Sequence, residues 1–200
     1  MAMKQERGEF LVKTARKIVE TYIREGKRPE IKFPEWCEEK RGVFVTLETH
    51  PGKELRGCIG FPEPVFPLKE ALSQAAISSA AEDPRFPPVR KEELDRIIIE
   101  VSVLTVPELI TVKSPKEYPG KIKIGEDGLI FRYGFNSGLL LPQVPVEWKW
   151  EPEEFLCNTC TKAGCTPDMW LEKNAKIYKF QADVFSEKEP NGKVIKRSLC

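Results

Sequence analysis

Apolar residues at helical spacing predict two helices in the first half of the chain. The first runs from Glu6 to Glu25 and is followed by Gly26, a frequent helix stop. The second starts after Pro67, the last of three closely spaced prolines, and ends near Asp83. Their apolar faces are formed by Leu11, Ala15, Ile18 and Tyr22, and by Leu68, Leu72, Ala75, Ala76 and Ser79.

Segments rich in Val, Ile, Phe and Thr predict strands between and after these helices. Segments 42–49 and 54–59 form a predicted hairpin around Pro51-Gly52, and segment 97–105 is apolar enough for a buried strand. Further predictions are a hairpin of 121–124 with 129–133, a helix from Pro152 to Gly164 and a strand at 178–184. Strands and helices do not alternate regularly, so we predict an α+β fold. A mixed or antiparallel sheet is flanked by helices in one domain, 1–200, with a smaller second lobe at about 113–138.

The composition predicts a soluble globular protein with little net charge. Lys and Arg number 32, Asp and Glu 31, and 40% of the residues are hydrophobic, which does not fit a disordered chain. The first ten residues are charged and no apolar run could span a bilayer, so we expect a cytoplasmic protein without membrane contact. The 26 Glu against 5 Asp, with only 4 Asn and 4 Gln, are typical of hyperthermophile proteins.

Four short motifs give the chain a family resemblance. They are LRGCIG at 55–60, DPRFPP at 83–88, EVSVL at 100–104 and GLLLPQV at 138–144. In this order they resemble the AMMECR domain family, in an archaeal type of member, over roughly residues 11–185. The resemblance implies an α+β domain of two unequal lobes with a cleft near the cysteine motif, and it implies no established reaction. Such domains are often encoded beside, or fused to, Memo-like and radical-SAM-like proteins, which makes those proteins candidate partners.

Cys58, within LRGCIG, is the candidate reactive residue. In a regular strand Glu54, Arg56 and Cys58 share one face, and Arg56 would lower the pKa of a thiol about 6.6 Å away. Gly57 and Gly60 would let a ligand approach main-chain N–H groups. In the alternative interpretation the glycines serve a bulge or close packing, Cys58 is a buried thiol, and Arg56 pairs with Glu54 or Asp83.

The proline-rich loop after the second helix is predicted to form the wall of the same site, because such loops often line sites on a rigid scaffold. Its contributing residues are Asp83, Arg85 and Phe86. No Cys-His dyad is expected, since in a tight hairpin Cys58 faces Val45, about 17 Å along the strand from His50, the only histidine. A base would have to be Glu54, Asp83 or a tyrosine, or a metal or cofactor that the sequence does not indicate.

Three further cysteines, Cys157, Cys160 and Cys165, leave three interpretations open. Core packing is preferred, and a disulfide fits the hyperthermophile composition. Zinc would need a fourth ligand, and only Cys37, His50 or Cys200 could supply it through the fold. We therefore predict that the three cysteines do not bind zinc stoichiometrically.

The sequence favours an enzyme or enzyme component that binds a small ligand, which could be anionic, in a cleft at the LRGCIG motif. The predicted catalytic residues are Cys58, Arg56 and Glu54, and the predicted ligand-binding residues are Gly57, Gly60, Asp83, Arg85 and Phe86. The alternative is a non-catalytic adaptor for a protein, peptide or RNA. Trp148 and Trp150, with the basic run 193–197, could contact nucleic acid, but the near-neutral charge argues against it. Tryptophans beside a helix start more often anchor the helix to the core.

Overall fold

The computed structural model describes residues 3–197, which form two compact units. The first unit contains residues 3–104 and Asp183–Arg197, and the second contains Thr105–Ala182. The lobe expected at 113–138 lies inside the second unit, which is larger because it also holds the helix that begins at Pro152. The helices are α1 Gln5–Glu25, α2 Leu68–Ala81, α3 Gln143–Glu147 and α4 Pro152–Lys162. The strands are β1 Val43–Thr49, β2 Leu55–Phe61, β3 Ile97–Leu104, β4 Glu108–Leu109, β5 Gly128–Tyr133, β6 Asn136–Leu140, β7 Lys176–Phe180, β8 Ala182–Glu187 and β9 Val194–Lys196.

A five-stranded sheet with the order β2-β1-β3-β8-β9 forms the first unit. β1 pairs antiparallel with both β2 and β3, and β8 pairs antiparallel with β9. Val43, Val45 and Leu47 point into a core shared with α1 and α2, and all three are fully buried. Phe44 and Thr46, which alternate with them, lie on the opposite face and are half-buried. The α+β fold class is confirmed.

Helix α1 follows the predicted apolar pattern and ends where the sequence indicates. Leu11, Ala15 and Ile18 are fully buried in the core of the first unit. Gly26 adopts a left-handed conformation with φ 68°, and its N–H donates to the Tyr22 carbonyl at 2.8 Å. This conformation favours glycine, which explains why the helix stops there.

The second unit has its own sheet, β4-β7-β5-β6, and its own core around Phe131, Phe155 and Ile177. Helix α4 begins with Pro152 at its first turn, as predicted, and packs on β5 and β6. A Cβ on Gly138 would lie 2.5 Å from the Ala163 backbone nitrogen, so a glycine is needed where the helix approaches the strand.

Two strand predictions are wrong. Segment 121–124 is not a strand: Lys121 ends a 3-10 helix, a turn begins at Ile124, and the Asp127 carboxylate accepts the Lys123 N–H. β5 pairs with β6 instead. Segment 178–184 is divided at Gln181, whose N–H donates to Thr105 Oγ1 and whose carbonyl accepts the Thr105 N–H. The two halves join different sheets, as β7 and β8. Both errors arise because side chains bond the backbone in ways that alternation of hydrophobicity does not reveal.

Candidate functional site

The LRGCIG motif forms β2, an edge strand whose regular alternation is broken by a bulge. Leu47 of β1 faces Gly57 of β2, but the next residue of β1, Glu48, faces Leu55. Arg56 is therefore the extra residue in β2. Cys58 consequently faces Thr46, and the predicted pairing with Val45 is wrong by one residue. Glu54 precedes the strand in the turn, where its N–H donates to Thr49 Oγ1.

The expected row of Glu54, Arg56 and Cys58 is therefore not formed. Arg56 instead donates through Nε and Nη2 to the two carboxylate oxygens of Glu93, at 2.7 and 3.1 Å. Neither Glu54 nor Asp83, the partners named in the alternative interpretation, receives this guanidinium. The bulge explains the error, because an extra residue redirects the side chain that it carries.

Asp83 and Arg85 lie against Cys58, as the sequence analysis predicted. The Cys58 N–H donates to Asp83 Oδ2 at 2.8 Å, and Arg85 Nη2 donates to the Cys58 carbonyl at 3.1 Å. Arg85 also donates to both Asp83 oxygens, at 2.9 and 2.7 Å. The Asp83 side chain is 1% exposed and that of Arg85 is 53% exposed, so a buried carboxylate anchors a guanidinium that reaches the surface. These bonds hold the pKa of Asp83 well below its usual range, chiefly through the Arg85 hydrogen bond.

Gly57 and Gly60 serve close packing, as the alternative interpretation expected, and their role in ligand binding stays a prediction. A Cβ on Gly57 would lie 2.1 Å from the Ser79 carbonyl oxygen of α2. A Cβ on Gly60 would lie 2.5 Å from the Phe44 ring. Protein atoms occupy the positions that side chains would take at these two glycines, and the Asp83 carboxylate accepts the N–H of the intervening Cys58.

The Cys58 thiol is half-buried and surrounded by polar groups from neighbouring strands. Thr46 Oγ1 donates to Cys58 Sγ at 3.3 Å, and Glu100 is the β3 neighbour of Thr46. Burial raises the pKa of the Cys58 thiol and outweighs the lowering by the Thr46 hydrogen bond and the Arg85 charge. Glu100 and Asp83 raise it further, so the expected low pKa is wrong and Cys58 is held as a neutral thiol.

Phe86 lies between the two arginines of this region. Its ring centroid is 6.0 Å from the Arg56 guanidinium carbon and 5.5 Å from that of Arg85. Thr46 and Glu100 were missed as site residues, although Glu100 is the single charged residue in an otherwise apolar strand segment. A buried charged side chain in such a strand requires a partner, so Glu100 was the residue in the sequence that could have indicated this part of the site.

The other candidate residues lie elsewhere. His50 follows β1, where its N–H donates to the Arg96 carbonyl at 2.7 Å. Cys160 packs in the core of the second unit, where burial raises its pKa to about 12. Cys37, Cys58, Cys157, Cys160 and Cys165 are all free thiols, and Cys200 lies outside the described residues. Among residues 3–197 no three His, Cys, Asp or Glu side chains are grouped as metal ligands would be.

The tryptophans lie in the second unit and the basic run lies in the first. Trp150 packs against the core of the second unit, whereas Trp148 stacks on it and is 68% exposed, so the anchoring role holds for Trp150 alone. Lys196 pairs with Asp183 at 2.5 Å and Arg197 pairs with Glu100 at 2.5 Å. These partners neutralise most of the basic run.

The protein has an α+β fold of two units. Its site combines the neutral, half-buried Cys58 thiol with the Arg85 guanidinium, which the buried Asp83 carboxylate holds in place. A family model described as AMMECR1 matches residues 12–185, and the chain belongs to that family. It is 60% identical to a protein of Methanocaldococcus jannaschii over 97% of this chain and 96% of that one. The crystal structure of an uncharacterized protein from Pyrococcus horikoshii is 54% identical and superposes with a TM-score of 0.93, covering 98% of each chain. Within the described part of the chain no helix is both long and apolar enough to cross a membrane.

Proposed function

We propose that this protein is an enzyme or enzyme component that binds a small anionic ligand at the surface formed by Cys58, Arg85 and Phe86. One observation carries the proposal: a buried carboxylate fixes a half-exposed guanidinium on the Cys58 carbonyl. The side chain of Arg85 has already lost its rotational freedom to Asp83 and Cys58. A ligand would therefore be bound without the entropic cost of ordering that arginine.

The free donors of the two arginines favour an anion. Within the described residues, Arg85 uses Nε and Nη2 for its hydrogen bonds and Arg56 uses the same two atoms toward Glu93. Each guanidinium keeps donors on Nη1, and both stack near Phe86. Guanidinium groups bind carboxylate and phosphate with good geometry, so these two ligand groups are the expected ones.

Cys58 acts in this proposal as a neutral thiol. Its raised pKa leaves little thiolate near neutral pH, and an anion bound at Arg85 would raise that pKa further. A protonated thiol can donate a weak hydrogen bond to the ligand or contact its apolar part. The arrangement is better suited to recognition than to nucleophilic attack by a thiolate.

The test is native mass spectrometry of the purified protein, combined with an NMR titration with inorganic phosphate. We expect a retained small molecule, or phosphate shifts at the Cys58 and Phe86 amides, and loss of either in Arg85→Met. Arg28→Met is the matched control, because Arg28 is exposed on the same unit. No retained molecule together with no phosphate shift, or equal binding by Arg85→Met, overturns the proposal.

A second candidate function is an adaptor module, and exposed apolar side chains of the second unit favour it. Phe135 is fully exposed in the turn between β5 and β6, and Trp148 is largely exposed. Exposed aromatic side chains are frequent anchors of protein interfaces. Purified Memo-like or radical-SAM-like proteins are the partners to test. The adaptor function predicts complexes that Phe135→Ser and Trp148→Ser weaken and Arg85→Met does not.

A further inference from the structure

A cavity of about 280 Å³ opens on the face of the first sheet that α1 and α2 do not cover. Its lining comes from β1, β3, β8, β9 and the turns beside them. The charged lining residues are Glu48, Lys53, Lys188, Arg197 and Glu187, of which Glu187 is already bound by Arg16. Ile98 and Ser186 are buried, at 3% exposure each, so the floor is rigid sheet. The volume lies near the lower end of the range for ligand pockets and fits a small organic molecule.

Glu48 gives this cavity an unsatisfied negative group. Its Oε2 atom is buried and has no hydrogen-bond partner among the described residues. Its Oε1 atom is 3.6 Å from Arg197 Nη1, but the same Nη1 lies 2.5 Å from Glu100 Oε2. Arg197 is therefore committed chiefly to Glu100 and neutralises Glu48 only in part. A partly buried carboxylate that is only partly neutralised is unfavourable, and a ligand ammonium group beside Glu48 would supply the missing positive charge.

Two lysines give the same cavity a positive border. Lys53 and Lys188 are exposed, and within residues 3–197 neither side chain forms an ion pair. Lys53 adopts a left-handed conformation with φ 54°, and its N–H donates to the Thr49 carbonyl at 2.7 Å, which fixes the base of its side chain. Ammonium groups of this kind attract a carboxylate.

We propose that this cavity binds a small zwitterion of the amino acid class, with its ammonium group on Glu48 and its carboxylate between Lys53 and Lys188. The two ligand charges match the two kinds of charged residue in the lining. A simple anion would leave Glu48 only partly neutralised, and a simple cation would leave both lysines without a partner. The cavity shares no lining residue with the surface formed by Cys58, Arg85 and Phe86, so this inference stands independently of the proposed function.

The test is a two-dimensional NMR titration of the full chain with glycine, β-alanine and 4-aminobutyrate. These probes vary only the distance between the ammonium and carboxylate groups. Concentrations reach about 50 mM, which covers the millimolar Kd range of weak ligands. We expect shifts of the Glu48, Ile98 and Ser186 amides, with one of the three lengths binding best. Acetate and methylammonium, which carry one charge each, should bind at least about tenfold more weakly.

Variants test the roles of Glu48 and of the two lysines in binding the zwitterion. Glu48→Gln keeps the size of the side chain and should weaken the best probe at least about tenfold, and Lys53→Met with Lys188→Met should do the same. Glu25→Gln and Lys27→Met are matched controls on exposed residues of the same unit, and they should bind as the parent protein does. Unperturbed amide spectra elsewhere establish that each variant is folded. The proposal is overturned if no zwitterion shifts the cavity amides, or if acetate binds equally well and Glu48→Gln has no effect.

Discussion

Cys58 is a residue whose chemistry is set by side chains distant in sequence. Thr46 and Arg85 favour its thiolate, whereas burial, Glu100 and Asp83 favour its thiol, and the second group prevails. Arg56, two positions from Cys58, was the reason to expect a lowered thiol pKa, but its guanidinium pairs with Glu93. Substitution of Glu100 or Arg85 should therefore change the pKa of the Cys58 thiol.

The pH dependence of Cys58 alkylation tests this balance. We expect the rate at the Cys58 peptide, followed with iodoacetamide by mass spectrometry, to rise with a midpoint above the roughly 8.5 of a free cysteine. Glu100→Gln should lower the midpoint because it removes a negative charge, and Arg85→Met should raise it because it removes a positive one. A midpoint at or below the free value, or shifts in the same direction for both variants, would contradict the account.

The Asp83 carboxylate predicts a distinct effect of acid on stability. Because its pKa is lowered on folding, it stabilises the protein above its unfolded pKa, and this contribution is lost as the pH falls toward the folded value. Asp83→Asn should cost about 1–3 kcal/mol at pH 7 through lost charged hydrogen bonds. The difference in free energy of unfolding between Asp83→Asn and the parent protein, measured by guanidinium titration, should become smaller below about pH 4. Asp95→Asn, at an exposed position, is the control and should change little.

The elements that carry the site could be predicted from sequence better than their register. Both strands of the motif hairpin, α2 and the loop at Asp83 lie where the apolar pattern and the prolines indicate. The alternative interpretation included a bulge at the glycines of the motif, but its position at Arg56 could not be predicted, because it depends on how β2 fits between β1 and α2. One inserted residue was enough to misplace Arg56 and to exchange Val45 for Thr46 opposite Cys58.

Packing of α2 on β2 predicts the effect of filling Gly57. Gly57→Ala would place a methyl group 2.1 Å from the Ser79 carbonyl oxygen, so the helix or the strand must move. We expect a loss of about 1–3 kcal/mol in the free energy of unfolding, measured in guanidinium. Gly52→Ala is the matched control, because its Cβ would meet its nearest atom at an ordinary 3.4 Å and should change stability by under about 0.5 kcal/mol. Equal stability of the two variants would mean that the close approach is not required.

At the scale of the whole molecule, many of the Glu, Lys and Arg side chains form ion pairs, and the pair between Arg16 and Glu187 is deeply buried. Arg16 of α1 binds Glu187 of β8 through two hydrogen bonds and also donates to the carbonyls of Leu94 and Ile97. The Glu187 carboxylate additionally accepts the Ile99 N–H at 2.9 Å. This pair joins the first helix, the middle strand and the last part of the first unit. Composition alone indicated many charges but could not indicate which of them are buried.

Breaking this pair should be among the most destabilising single changes to the first unit. Arg16→Met leaves the Glu187 carboxylate buried without its charged partner, since the two side chains are 5% and 3% exposed. We expect a loss of about 3–5 kcal/mol in the free energy of unfolding. Replacing both partners, as Arg16→Met with Glu187→Leu, should recover part of the loss because no unpaired charge remains. Lys13→Ala, which removes the exposed Lys13–Glu9 pair on the same helix, should cost under about 1 kcal/mol. If the double replacement were no more stable than Arg16→Met in guanidinium titrations, the buried charge would not be the cause of the loss.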